Sequence, residues 1–167
     1  MAQAYIGLGS NLADPPAQIH AALHALKQLP KTRLVQQSRM YSSEPWGNAD
    51  QPDFVNAVAE LDTALAPHEL LEAVLRIESE AGRVRDCSRW GPRILDLDIL
   101  VYADRCINEP GLRIPHPHLH ERAFVLIPLA EIAPHLAIPG HGGIDSLMAR
   151  IDASGCHALE SDATGTE

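Results

Sequence analysis

The apolar positions of this chain switch between a two-residue and a helical repeat, and each switch marks an element. Residues 4–9 (AYIGLG) read as a short strand. Asp14-Pro15-Pro16 has the form of a helix start, an acidic cap with proline at the first helical position. Ile19, Ala22, Leu23 and Leu26 then recur at helical spacing until Leu29-Pro30. Residues 33–41 (RLVQQSRMY) predict a strand. Residues 42–53 (SSEPWGNADQPD) are turn chemistry, long for a connection in a compact domain. Residues 54–62 (FVNAVAELD) alternate like a strand that pairs with the one before. Pro67 opens a second helix with Leu70, Leu71, Val74, Leu75 and Glu78 on one stripe, ending near Gly82. Residues 83–93 form an arginine-rich loop, and residues 94–102 (ILDLDILVY) are the most apolar strand. Three prolines predict irregular structure over 110–120, and residues 122–133 a short helix interrupted or bent at Pro128. The last stretch, residues 154–167, is polar and rich in small residues, and is expected to be poorly ordered.

The order β-α-β-β-α-β predicts an α+β fold of ferredoxin-like type, an antiparallel-rich sheet with helices packed on it. We expect one domain over residues 1–140 and a C-terminal extension over 141–167, in a monomer. No run approaches the ~18 apolar residues of a membrane span. The N-terminus shows no basic segment or cleavage pattern, which predicts a cytoplasmic protein. Three cysteines (Cys87, Cys106, Cys156) without a CxxC spacing predict free thiols. A formal net charge of −9 argues against a nucleic-acid partner.

Against that acidic balance, Arg83, Arg85, Arg89 and Arg93 cluster just before the apolar strand. The strand itself carries Asp96 and Asp98. By alternation, Leu95, Leu97, Ile99 and Val101 face one way and the two aspartates the other, roughly 6.5 Å apart. Such a pair is tolerable if solvated, if bridged by arginines, or if a divalent cation sits between; hard oxygens on a strand suit Mg²⁺ with phosphate. Guanidiniums beside them suit a polyphosphate. Gly7-Leu8-Gly9-Ser10-Asn11 matches neither the dinucleotide nor the P-loop pattern, and the chain has only two lysines, Lys27 and Lys31. Those glycines mark a tight strand exit or a surface kept clear for a ligand. His116, His118 and His120 lack an evident third partner for zinc; one of them touching phosphate is the better expectation. Phe54 and Phe124 are core residues, or two rings around a flat heterocycle whose edge Asn56 reads.

Four segments also carry a resemblance: YIGLGSNL (5–12), QPDFVNAV (51–58), GRVRDCSRWGPRILDLDIL (82–100) and IPHPHLHERAFVLIPLAEIAP (114–134). In this order, over residues 4–140, they resemble the 6-hydroxymethyl-7,8-dihydropterin pyrophosphokinase family of folate biosynthesis. The resemblance implies transfer of the β,γ-diphosphoryl group of ATP to the pterin hydroxymethyl oxygen, with release of AMP and with two Mg²⁺ ions. By position it implies that Asp96 and Asp98 hold both ions and that Arg83 and Arg93 contact the phosphates. It assigns Glu78, Arg85, Arg89, Trp90, Ile99, His116 and Arg122 to ATP. It assigns Ser43, Pro45, Trp46, Phe54, Asn56, Trp90, Asp96 and Phe124 to the pterin. Phe54 stands where some relatives have Tyr, and Asp86 where some have Lys.

Overall fold

The computed structural model describes residues 1–43, 52–82 and 94–159. At the centre of the sheet is β1 (Ala2–Ser10), followed by α1 (Pro15–Lys27), β2 (Thr32–Gln37), β3 (Tyr41–Ser43), β4 (Phe54–Thr63), α2 (Pro67–Glu80) and β5 (Asp96–Tyr102). The strands lie in the order β3-β4-β1-β5, all pairs antiparallel, with β2 also on β4. This is the ferredoxin-like arrangement that the element order predicts. Beyond it come a hairpin of β6 (Ile107–Glu109) and β7 (Leu112–Ile114), then α3 (Ala123–Ile132). The small β8 (Ala137–Ile138) and β9 (Gly142–Gly143), α4 (Ile144–Met148) and β10 (Cys156–Ala158) complete the chain.

Both faces of the sheet are covered. Ile6, Leu8, Leu61, Leu97 and Ile99 pack against Ile19 and Leu26 of α1 and Leu70 and Val74 of α2. Tyr5, Val58, Leu100 and Val101 pack the other face against Leu126 and Leu129 of α3 and Ile144 and Leu147 of α4. Among the described residues no helix is long and apolar enough to cross a membrane.

Several local expectations change. Val101 lies on the α3 side, not with Leu97 and Ile99. The register against β1 shifts between Tyr5 and Ile6, so Leu100 is an extra residue and the alternation flips after it. The strand expected over 33–41 is two strands: β2 pairs with the far half of β4 and β3 with the near half, and Ser38 bridges the break by exchanging bonds with Val58. Residues 110–120 are not irregular throughout. Pro110-Gly111 forms the two-residue turn of the β6–β7 hairpin, with Gly111 at φ +82, so the proline sits where no ladder bond is needed. Asp14 stands at the start of α1 but in a left-handed conformation, with no capping bond; the Gln18 side chain instead donates to Ala13 O. Pro128 does not end α3, which runs on to Ile132. Within the polar last stretch, residues 156–158 form β10, which pairs with β3, and Leu159 N–H donates to Met40 O.

Candidate functional site

The register sets up the site. Asn56 on β4, Gly9 on β1 and Asp96 on β5 are successive partners across the sheet, on the α3 side. Two strand spacings separate Asn56 from Asp96, about 10 Å. Between them lies bare backbone: a Cβ on Gly9 would stand 3.0 Å from Asn56 Oδ1 and 4.0 Å from Phe54. Asp98 pairs with Gly7 in the same way, so the carboxylate strand borders a glycine strand.

A cleft of about 610 Å³ opens over this floor. Ser43, Phe54, Asn56 and Phe124 line one end. Asn56 Nδ2 donates to Ser43 Oγ at 2.7 Å, which leaves the amide oxygen toward Gly9. β3 is tied to α3 because Tyr41 and Arg39 both bond Glu131, so Ser43 and Phe124 sit on connected elements. At the other end the cleft passes the free edge of β5 to Leu71, Leu75 and Glu78 of α2 and to the β6–β7 hairpin. Ile99, His116 and Arg122 line it too. Thus every predicted site residue among the described ones borders a single cleft. Arg83, Arg85, Arg89, Trp90, Arg93, Pro45 and Trp46 lie outside the described residues.

Asp96 and Asp98 sit at the middle, half-buried, with the Asp98 side chain 41% exposed. Their hard oxygens suit Mg²⁺, and Mg²⁺ keeps several positions for water and phosphate rather than filling a protein cage. Among the described residues no cluster of three or more His, Cys, Asp or Glu side chains is arranged to hold a metal alone, so the pair would be completed by water and phosphate oxygens. The donor set therefore fits the ion the resemblance implies.

His116 faces Asp98, with Nε2 3.9 Å from Oδ2. Its Nδ1 accepts the backbone N–H of His118 at 3.1 Å, so the neutral ring carries its proton on Nε2, directed into the cleft. Burial, then the nearby Arg122 and His118, bring its pKa down to about 4, against the opposing pull of Asp96. It is a neutral donor at pH 7, not one half of an ion pair. The free ring takes its proton at higher pH than the folded one, so the stability this site contributes above pH 6.5 is lost as pH falls toward 4. We expect urea melts of the wild type to weaken over that window, and His116→Gln to remove on the order of 3 kcal/mol of the change. An unaltered pH profile in the variant would show that the ring titrates normally.

The guanidinium carbon of Arg122 lies 5.5 Å from the centre of the Phe124 ring, so this arginine adjoins the aromatic end as well as His116. His118, one of the three histidines singled out in the sequence, also lines the cleft and bonds Glu121. Sequence reading missed two features. Arg113 lines the cleft from β7, unseen because the hairpin was not anticipated. Leu71 and Leu75 belong to the apolar stripe of α2, which reads as core, yet they reach the cleft wall.

Fold and cleft together define a class, an α+β protein built on a ferredoxin-like sheet with one acidic-centred cleft over it. The family model described as 7,8-dihydro-6-hydroxymethylpterin-pyrophosphokinase matches residues 5–134, and the chain belongs to that family. Curated relatives carry the name 2-amino-4-hydroxy-6-hydroxymethyldihydropteridine pyrophosphokinase. The one from Pseudomonas aeruginosa is 54% identical over 93% of this chain and 95% of its own. That from Haemophilus influenzae is 52% identical over 89% and 92%, and that from Bacillus subtilis 45% identical over 77% of each. Among solved structures, the HPPK-DHPS protein of Plasmodium falciparum superposes with a TM-score of 0.72 at 14% identity, over 89% of this chain. The chain spans 45% of that longer protein, and the likeness concerns the fold alone.

Proposed function

We propose that this protein transfers the β,γ-diphosphoryl group of ATP to the hydroxymethyl oxygen of 6-hydroxymethyl-7,8-dihydropterin, a step of folate biosynthesis. The hydroxymethyl oxygen bonds to the β-phosphorus as the bond from that phosphorus to the α,β-bridging oxygen breaks. AMP leaves with the bridging oxygen, and the hydroxyl proton passes to solvent. The observation that carries this reading is the one cleft in which an amide-and-ring end and an apolar end lined by Leu71, Leu75 and Leu112 meet at Asp96 and Asp98.

The Phe54 and Phe124 rings flank the flat pterin, and the Asn56 amide oxygen accepts from its edge. Gly9 leaves room for the ring to lie on the sheet. Asp96 and Asp98 would hold the two Mg²⁺ ions, which would supply charge neutralisation at the phosphoryl oxygens. His116 donates from Nε2 to a phosphate oxygen, and Arg122 neutralises the same group. Leu71, Leu75 and Ile99 take the adenine. No side chain need act as nucleophile, because positioning and charge neutralisation carry this type of transfer.

The test is one assay with ATP, Mg²⁺ and hydroxymethyldihydropterin, following AMP. Pterin-dependent AMP release at one AMP per pterin diphosphate is the expected result. Pterin-independent formation of ADP and phosphate would instead make the cleft a phosphohydrolase and sink the reading.

A further inference from the structure

Glu78 is placed by the resemblance beside the nucleotide, and its geometry also ties it to the strand that carries the aspartates. It lies in the last turns of α2, only 2% exposed, and its Oε2 accepts the backbone N–H of Leu97 at 2.6 Å. Leu97 stands between Asp96 and Asp98. Among the described residues β5 is the end strand of the sheet, and no described strand pairs with its outer edge. Two groups from elsewhere bond to that edge: Glu78 takes Leu97 N–H, and His116 N–H donates to Leu100 O. Asp98 sits between these two attachments.

The start of β5 needs such an attachment. Asp96 is its first residue, and strand ends open more readily than strand centres. β1 secures one side of this end through the pairing of Gly9 with Asp96 and of Leu8 with Leu97. The Glu78 carboxylate secures the other, by a charge-assisted bond to a backbone donor. The bond fixes the strand's rotation at Leu97, and because side chains alternate, the phase of Leu97 decides where both aspartates point.

We propose that Glu78 is a positioning residue. By holding Leu97 N–H, it sets the direction in which Asp96 and Asp98 present their oxygens to the divalent cations. This rests on the assignment of Asp96 and Asp98 as the metal-holding pair in the reading above. Outer groups of this kind typically change metal affinity by about 10–100-fold when removed.

The test compares wild type, Glu78→Gln and Glu78→Ala, with Asp98→Asn as a control on the metal reading. Three quantities are read: hydrogen exchange of the Leu97 amide without metal, Mn²⁺ binding by EPR titration with a non-hydrolysable ATP analogue, and the separate KM and kcat for ATP. Glu78→Gln retains a carbonyl acceptor of the same shape, and circular dichroism checks that both variants fold. The expected result is faster Leu97 exchange in Glu78→Ala, with Mn²⁺ affinity weakened about 10-fold or more, and near wild-type values in Glu78→Gln. If Glu78→Ala raises only the KM for ATP and leaves Mn²⁺ binding and Leu97 exchange unchanged, Glu78 is a nucleotide contact and the inference fails. If Glu78→Gln is as impaired as Glu78→Ala, charge and not the acceptor matters, and it fails again. Mn²⁺ binding unaffected by Asp98→Asn would overturn the metal reading itself, and with it this inference, through the control and not the Glu78 variants.

Discussion

Asp98→Ala, and equally Asp96→Ala, lowers pterin-dependent AMP release by about 10³-fold or more, equivalent to at least ~4 kcal/mol of transition-state stabilisation. The size follows from what the pair is asked to do. A diphosphoryl group in transfer spreads negative charge over its oxygens, and among the described side chains of the cleft only Arg113, His116, His118 and Arg122 offer cationic or ring N–H donors to meet it. Removing one carboxylate removes a holding point for the cations, and the remaining donors neither neutralise nor align the triphosphate. The fold should not suffer. Both side chains are half-buried on the cleft side of an end strand, whereas the apolar core beneath is carried by Leu97 and Ile99. Melting temperatures within a few degrees of wild type are expected alongside the lost turnover. Full activity in both variants would end the metal assignment. Lost activity together with lost folding in both would favour a purely structural ion-pair network.

The aspartate pair was legible because its signal is local. Alternation in a strand places two carboxylates on one face whatever the rest of the chain does. The helix starts at Pro15 and Pro67 were legible for the same reason, and so was the end of α2, where Gly82 adopts φ +89 just past the last turn. Features that depend on a distant partner were not. The flip at Val101 arises from an extra residue against β1, and nothing in ILVY announces it. β10 exists because β3 offers an unpaired edge, so a polar three-residue segment becomes a strand. Glu78 could be seen on the buried stripe of its helix, but its acceptor role toward Leu97 spans nineteen positions. The prolines of 110–120 misled for a different reason. Pro110 is a turn residue, not a strand breaker, and the distinction depends on the glycine that follows it. Arg113 and its place at the cleft were lost with that hairpin.

Gly9→Val lowers kcat/KM for the pterin by about 10²-fold or more, mainly through KM. Gly9 lies between Asn56 and Asp96 in the register, and even a single added carbon would stand 3.0 Å from Asn56 Oδ1. Two further methyl groups would occupy the plane in which the pterin ring is proposed to lie, between the Phe54 ring and the carboxylates. Strand backbone accepts valine readily, so the change acts on the cleft and not on pairing. Gly7 supplies the contrast. A carbon added there meets the end of the Leu100 side chain at 3.3 Å, two residues from the pterin end, and Gly7→Ala should cost far less activity. The two variants separate a filled binding surface from a general intolerance of side chains on β1. Measured binding of a non-hydrolysable ATP analogue should stay near wild type in Gly9→Val, because Leu71, Leu75 and His116 lie toward the opposite end. A normal pterin KM in Gly9→Val would mean the ring does not rest on this stretch of backbone, and the aromatic end would then need another occupant.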